Sequence, residues 1–187
     1  MRTYLTDKNI IVDNANVYQT EPVSVGDLKT FLQLEGDAYN GILAYYITAA
    51  RKKIENYCDV SLVPKSIKAQ FMTMGCSPMT LPFPPFDAIQ QVGWKKCPST
   101  WIELDGSSTP YDYTIVNDEG FKVSIQANIS GTFRVQYTTK AVADNGVFNM
   151  AILMQAGYMY TQRDSPDVPD WNQQAKAMVQ ELRNGGV

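Results

Sequence analysis

Hydrophobic residues in the first third of the chain recur every three or four positions, the period of one face of an α-helix. This predicts a short helix at about 24–34 and a longer one at about 37–58. Ser24, with Asp27 three residues later, has the form of an N-terminal cap, and we expect Gly36 to end the first helix. The apolar stripe of the longer helix comprises Leu43, Ile47, Ala50, Ile54 and Tyr57, with Asp37 near its start. Arg51, Lys52, Lys53 and Glu55 are expected to lie largely off that stripe.

Between about residues 62 and 140 the pattern changes to alternating apolar and polar residues, which predicts β-strands. The alternating stretches SIKAQFMTM, AIQQVGW, TWIELDG, YDYTIVNDEGFKVSIQ and GTFRVQYTTK are separated by turn residues. Short strands with tight turns are typical of an antiparallel sheet or of stacked hairpins.

Three prolines, Pro82, Pro84 and Pro85, stiffen the segment LPFPPF before one of these strands. Proline fixes its own φ and restrains the preceding residue, so the segment is expected to be extended. The spacing of Pro82 and Pro85 also fits a ligand of proline-binding grooves. Because aromatic residues flank the prolines and a strand follows at once, we favour a brace packed on the protein's own core.

A third predicted helix, at about 145–163, carries two apolar faces. One face comprises Phe148, Ile152, Ala156 and Met159; the other comprises Val147, Met150, Met154 and Tyr158. Such a helix is either buried or lies between its own core and another subunit. After the break SPDVPD, an amphipathic C-terminal helix is predicted to carry Trp171, Ala175, Met178 and Leu182.

Together these elements predict an α+β protein, a small helical bundle with an inserted antiparallel β-sheet or hairpin region and a C-terminal helix. We expect a lead-in over residues 1–20, a core domain over 21–164, and a linker with the C-terminal helix over 165–187. A chain of 187 residues is long enough to bury a core of its own.

Composition excludes several kinds of chemistry. The chain has no histidine, so it has neither a Ser–His or Cys–His catalytic pair nor a histidine-ligated metal. Its cysteines, Cys58, Cys76 and Cys97, are scattered, which favours free thiols in a reducing compartment. A net charge of −3 and a pI near 4.9 argue against tight gripping of nucleic acid through its phosphates. The polar start does not resemble a signal peptide, and the longest apolar stretch, 147–162, is short for a membrane span.

Acidic residues give two candidate sites. Asp164, Asp167 and Asp170 recur every third residue, but the intervening prolines favour helix-capping roles over a cation site. A second set comprises Glu103, Asp105, Asp112, Asp118 and Glu119, in a region without Lys or Arg between Lys96 and Lys122. The set is interpreted as solvated turns or, alternatively, as a surface that repels phosphate. The basic run at 51–53 is interpreted as a solvated face or as ion-pair partners. No metal or cofactor motif is found.

The order and spacing of these pieces resemble the head–tail connector proteins of tailed bacteriophages, from about Glu21 to Asp164. Pro22, Val23 and Ser24 are similar to the cap that opens the first helix in that family. The long helix matches at Asp37, Ile47, Ala49, Ala50, Arg51, Ile54, Glu55 and Tyr57. The proline segment leads into a strand with Ile89 and Val92 three residues apart, and AILMQAGYMYTQRD resembles the family's closing helix.

The resemblance implies a structural protein without catalysis or cofactors. Family members form a ring, generally twelve-fold, below the portal vertex in the neck of the virion, and are made in the host cytoplasm. The ring extends the DNA channel, DNA passes through it without specific binding, and no membrane is involved. Its expected partners are further copies of this chain, the portal protein and the next neck or tail protein.

Three groups of residues are predicted to serve these contacts. Portal or subunit contact is assigned to Trp171, Met178 and Leu182; the subunit interface to Met150, Met154 and Tyr158; and the channel to Glu103, Asp105, Asp118 and Glu119. One alternative is a stopper or tail-completion ring of the same neck. Another is a small metal-independent enzyme using Asp112, Tyr113 or Lys122, and a third is a peptide-binding module.

Overall fold

The computed structural model describes residues 10–13, 20–73, 79–95, 100–104, 113–116, 123–127, 131–143, 146–165 and 170–185. Within these residues the chain has four helices and eight strands, which confirms the predicted α+β class. Contacts divide it into two compact units. The helical unit consists of Gln19–Val63 and Val142–Val187, and the sheet unit consists of Met1–Tyr18 and Pro64–Ala141. The C-terminal helix packs with the other helices, and the predicted division at residues 20 and 164 stays a prediction.

Helix α1, Val25–Leu32, begins with the predicted cap. The Asp27 amide donates to Ser24 Oγ at 3.1 Å, and the Ser24 amide donates to Asp27 Oδ2 at 2.9 Å. The hydrogen bonds from Ser24 lower the pKa of Asp27. The helix ends earlier than predicted, since Gln33 adopts a left-handed conformation with φ 56° and its amide bonds back to the Lys29 and Thr30 carbonyls.

Helix α2, Asn40–Cys58, buries the predicted stripe of Leu43, Ile47, Ala50 and Ile54. Its last buried position is Cys58, whereas Tyr57 is half-buried. The predicted start at residue 37 is three residues too early. Asp37 lies before the helix, where its carboxylate accepts hydrogen bonds from Lys29 at 3.0 Å and from the Asn40 side chain at 3.1 Å. The hydrogen bond from Lys29 is the main cause of the lowered pKa of Asp37.

The prediction that Arg51 and Glu55 lie off the buried face is wrong. Both side chains are only 1% exposed. Arg51 Nη1 lies 2.7 Å from Glu55 Oε2, and Arg51 Nε lies 2.7 Å from Glu21 Oε2. The Leu62 amide donates to Glu55 Oε1 at 2.8 Å, and Thr48 Oγ1 donates to Glu21 Oε1 at 2.8 Å. These two salt bridges and their hydrogen bonds, the Arg51 network, satisfy charges that would be costly to bury alone.

The electrostatics of the Arg51 network keep the guanidinium charged. Burial alone would lower the pKa of Arg51, but hydrogen bonding and charge from Glu21 and Glu55 outweigh it and raise the pKa. The ion-pair interpretation of the basic run is therefore confirmed for Arg51.

Helices α3, Gly146–Thr161, and α4, Gln173–Gly185, complete the helical unit. Phe148, Ile152 and Ala156 of α3 are buried, as are Ala175 and Val179 of α4. The two chain segments of the unit meet where the Val142 amide donates to the Ser61 carbonyl at 3.1 Å.

The sheet unit contains a five-stranded antiparallel sheet in the order β1-β2-β8-β4-β5 and a three-stranded sheet in the order β3-β7-β6. The strands are β1 Ile10–Asp13, β2 Lys65–Thr73, β3 Met79–Thr80, β4 Phe86–Lys95, β5 Ile102–Leu104, β6 Tyr113–Val116, β7 Ser124–Ala127 and β8 Gly131–Thr139. The predicted alternation is observed on β2 and β8, whose odd-numbered residues are buried from Ile67 to Phe71 and from Phe133 to Tyr137. Strand β1, within the predicted lead-in, pairs with β2 and was missed.

The proline segment is a brace, as predicted, but the prediction that it is extended is wrong: residues 82–85 bend, and Phe83 has a left-handed φ of 58°. Leu81, Pro82 and Pro84 are buried, and Phe83 packs on the core of the sheet unit. Tyr137 Oη donates to the Pro82 carbonyl at 2.6 Å. The bond between Pro84 and Pro85 is cis. With its apolar side chains in the core, this segment is not available as a ligand for a proline-binding groove.

We expect Arg51→Ala to lower the free energy of unfolding by about 3 kcal/mol, because it leaves the buried Glu55 carboxylate without its cation. Lys52→Ala, at the neighbouring exposed position, is the matched control and should cost no more than about 0.5 kcal/mol. Urea denaturation followed by circular dichroism measures both. Equal losses in the two variants would show that the buried ion pairs contribute no special stability.

Candidate functional site

The predicted subunit-interface residues lie on one side of α3. Met150 is 44% exposed, while Met154 and Tyr158 are half-buried. Val147, on the same predicted face, is 43% exposed. The helix therefore has a buried face and a second, partly exposed apolar face, as its sequence pattern indicates. Whether another subunit covers the second face stays a prediction.

A group of exposed apolar side chains on α1 and α2 was missed by the sequence analysis. Phe31 is 45% exposed, Tyr39 48%, Ile42 40% and Tyr45 69%. We call these four residues the aromatic patch. Large apolar side chains grouped on a surface are typical of protein–protein contacts.

Other tyrosines support the aromatic patch. The Tyr39 and Tyr46 rings lie edge-on to Tyr160 of α3, with centroids 6.0 and 6.5 Å apart, and Tyr45 lies 6.0 Å from Tyr46. Phe31 packs where Gly157 leaves space, since a Cβ at Gly157 would lie 3.2 Å from the Phe31 ring. The patch therefore rests on ordered helix packing within the helical unit.

A signal for this patch was present in the sequence. The solvent side of α2 passes through residues 42, 45, 49, 52, 56 and 59. The first half of that stripe is Ile42, Tyr45 and Ala49, and the second half is polar. These three apolar residues lie on the side of α2 opposite the core. Examining the solvent side of the helix as well as its buried side would have found them in the sequence.

Trp171, predicted to contact a partner, contacts its own chain. Its ring lies 5.2 Å from the Tyr57 ring, and Lys53 Nζ lies 5.0 Å from its centroid. Lys53 is also ion-paired with Asp170. Trp171 is thus one of the contacts that hold the start of α4 on α2.

Gln155 of α3 provides a second anchor for this segment. Its side chain is fully buried; its Oε1 accepts from the Asn172 amide at 2.9 Å, and its Nε2 donates to the Asp170 carbonyl at 3.4 Å. Asn172 Oδ1 in turn accepts from the Gln174 and Ala175 amides at 3.0 Å, which caps the helix. Met178 and Leu182 are half-buried beside the buried Ala175 and Val179 face.

The predicted channel residues are only partly described. Glu103 is exposed on the edge strand β5 and accepts a hydrogen bond from Gln91 Nε2. Asp105, Asp118 and Glu119 lie outside the described residues. Glu103 therefore has an established position on the five-stranded sheet, and the grouping of the four acids stays a prediction.

The described residues bring together no constellation for metal or nucleophilic chemistry. No group of three or more Cys, Asp or Glu side chains is placed to hold a metal ion among them. Asp164 and Asp170 are exposed, and Asp167 lies outside the described residues. Asp112, Lys122 and the Tyr113 side chain, named for the enzyme alternative, are likewise outside them.

The described cysteine, Cys58, is buried and free. Burial raises the pKa of its thiol to about 11. A thiol in this state is a weak nucleophile, since the thiolate is the reactive form.

No helix in the described part of the chain is long and apolar enough to cross a membrane.

Comparisons with known proteins show what the chain is similar to. A sequence model of the family described as "Phage gp6-like head-tail connector protein" matches residues 22–92. No curated protein matches the chain significantly.

Solved structures match over most of the chain. A chain in the neck of an empty gene transfer agent (GTA) particle, computed with C6 symmetry, is 16% identical with a TM-score of 0.62, and the match covers 90% of this chain and 94% of that one. A chain from the native GTA virion is 15% identical with a TM-score of 0.63, covering 88% and 94%. One from the native GTA neck, computed with C12 symmetry, is 15% identical with a TM-score of 0.61, covering 89% and 95%. The resemblance to head–tail connector proteins and the predicted fold class are therefore confirmed.

Proposed function

We propose that this chain is a non-catalytic structural protein of the neck of a tailed phage or phage-like particle. In this proposal, copies of the chain form a ring below the portal vertex, extend the DNA channel and present a surface to the next neck or tail protein. The observation that carries the proposal is the likeness in fold to GTA neck chains over about nine-tenths of both chains. The connector family match over residues 22–92 supports it independently.

The proposed ring requires two different lateral surfaces on each copy, because head-to-tail contacts close a ring. The helical unit offers two groups of exposed apolar side chains, the aromatic patch on α1 and α2 and the Val147–Met150 region of α3. We assign Met150, Met154 and Tyr158 to one side of the lateral contact. Twelve copies is the number we propose, and one of the similar necks was computed with C12 symmetry.

For the portal or a neighbouring subunit we retain the predicted contact residues Trp171, Met178 and Leu182, with Trp171 as the anchor of the segment. Because Ala175 and Val179 face the core, deletion of α4 would remove core contacts together with any partner contact. Point substitutions at the half-buried positions are therefore a sharper test than deletion.

Glu103, Asp105, Asp118 and Glu119 are proposed to lie near the channel. Carboxylates along a conduit repel the phosphates of DNA and so prevent tight binding. An acidic chain without a nucleic-acid clamp is consistent with that role.

Mixing this protein with the portal ring of its own particle should give an added ring-shaped layer on one end of the portal in negative-stain images. Each component alone is the control. Leu182→Glu should weaken this attachment, because it places a charge in an apolar contact, whereas Gln180→Glu on the exposed side of α4 should not. A bare portal together with binding to tail components would assign the chain to the stopper or tail-completion class. If Leu182→Glu attaches to the portal as well as the unchanged protein does, this part of α4 does not belong to the interface.

Met150→Glu should prevent ring formation, with a loss of about 2 kcal/mol per lateral contact, the scale of an interface hot spot. Native mass spectrometry or light scattering measures the subunit number. Thr161→Glu adds the same charge at an exposed position at the other end of α3 and is the control. Rings of normal size from the Met150 variant would contradict the assignment of this face.

Neutralising Glu103, Asp105, Asp118 and Glu119 together, by Gln or Asn, should slow DNA ejection. Without the repulsion between carboxylates and phosphates, DNA binds the channel wall more tightly and moves past it more slowly. Ejection from assembled particles can be followed with a dye that binds released DNA. A parallel change of Glu35 and Glu181, exposed acids of the helical unit, to Gln is the control. Unchanged retention and ejection in the fourfold variant would argue against a channel position.

A further inference from the structure

The outer face of the five-stranded sheet carries two cations on one aromatic ring. Arg134 Cζ lies 4.6 Å from the centroid of the Trp101 ring, and Lys95 Nζ lies 5.0 Å from the same ring. All three side chains are half-buried. We call these residues the Trp101 cluster. A guanidinium or ammonium at this distance is attracted to the electron-rich face of an indole.

Strand register explains how the cluster forms. Gly93 of β4 pairs with Arg134 of β8 on one side and with Glu103 of β5 on the other. A Cβ at Gly93 would lie 3.4 Å from Trp101 Cε3 and 3.7 Å from Arg134 Nη2. The indole and the guanidinium therefore lie directly over Gly93, in van der Waals contact with the sheet.

The surroundings of the cluster are polar. In β2 and β8 the even-numbered residues lie on the face opposite the core, and Gln70 pairs with Arg134 there. Gln136 pairs with Gln91, and Gln136 Nε2 donates to Gln90 Oε1 at 3.0 Å. Met72 of β2 is also exposed on this face, so the face is mostly but not wholly polar. One methionine among amides and charges falls short of the apolar area on which a protein interface core depends.

The two cations also have no carboxylate partner among the described residues. Five other described cations are ion-paired, namely Lys29, Arg51, Lys53, Lys140 and Arg163. Arg134 and Lys95 interact instead with an uncharged ring, which positions them without neutralising them. A guanidinium positioned in this way retains N–H donors for the oxygens of an anion.

We propose that the Trp101 cluster is a contact site for the phosphate backbone of double-stranded DNA. A polyphosphate backbone is favoured over an acidic protein because successive phosphates of a duplex can meet two fixed cations without any apolar contact surface, which a protein interface core requires. The amides around the cluster can add hydrogen bonds to phosphate oxygens. With two cations per copy and Glu103 beside them, the contact is weak and sequence-independent. This inference rests on the proposed function, since it gives the DNA in the channel a surface along which it can be guided.

The test is fluorescence anisotropy of a labelled 30-base-pair duplex with the purified chain, from 25 to 200 mM NaCl. We expect the affinity to fall with salt with a log–log slope of about −2, since each neutralised phosphate contributes about −0.9. Arg134→Gln and Lys95→Gln should each weaken binding about fivefold and reduce the slope by about one. Lys140→Gln, which removes the same charge from a lysine paired with Asp87, should leave both unchanged.

Two further variants keep the test independent of folding. Arg134→Lys keeps the charge but loses the planar stacking group, so the salt slope should stay while the affinity falls. Trp101→Leu removes the ring beneath the cations and should also weaken binding. Melting curves identify any variant that is unfolded. An unfolded variant is left out, and the affinity is then compared for the remaining folded variants of the cluster.

Several outcomes would overturn the inference. These are absence of duplex binding at 200 μM protein and 25 mM NaCl, equal losses in Lys140→Gln and Arg134→Gln, or tighter binding of polyglutamate than of the duplex. Portal attachment by a chain that does not bind duplex would overturn this inference alone. Duplex binding by a chain that never joins a portal or a ring would instead overturn the proposed function.

Discussion

The helical unit depends on one constraint, that a buried guanidinium must be matched by carboxylates. Arg51 is nearly inaccessible, and its charge is balanced by Glu55 one turn later and by Glu21 from the segment before α1. The second oxygen of Glu55 accepts the Leu62 amide just after α2. The network therefore fixes three parts of the chain at once: the entry to α1, the middle of α2 and the exit toward the sheet unit. A buried ion pair stabilises the fold only when both charges have well-placed partners and hydrogen bonds. These three segments are therefore held in the one arrangement that supplies those partners.

Much of the fold follows from local patterns, and the exceptions have a common physical cause. The Ser24 cap, the alternation of β2 and β8 and the proline brace depend on neighbouring residues, and the sequence predicts them. The burial of Arg51 depends on Glu21, thirty positions away, and no local rule places a charged side chain in a core. Tyr39 and Tyr45 were missed because tyrosine is compatible with both sides of a helix. The contacts of Trp171 with Tyr57 and Lys53 were not predicted, because those residues are remote from it in sequence.

The two units present surfaces of different chemistry. The helical unit exposes aliphatic and aromatic side chains on α1, α2 and α3, while the five-stranded sheet presents amides, cations and Glu103 with only Met72 and Ile102 as large exposed apolar side chains among the described residues. Apolar surfaces suit permanent contacts between proteins, whereas weakly charged polar surfaces suit a molecule that moves past. Here the two kinds of surface are carried by separate parts of one chain, which suits the proposed role. The absence of any histidine removes the side chain most often used for acid–base catalysis.

The bond between the Val142 amide and the Ser61 carbonyl brings together the two points at which the chain leaves and re-enters the helical unit. Residues 64–141 are thus an insertion between two segments of the helical unit. The hydrogen bond from Val142 to Ser61 holds the two ends of this insertion close together. The entropy of closing such a loop grows only with the logarithm of its length. Strands can consequently be lengthened, shortened or added within the insertion at little cost to the helices. One constraint from outside the insertion is the pairing of β2 with β1, which precedes the helices in the chain.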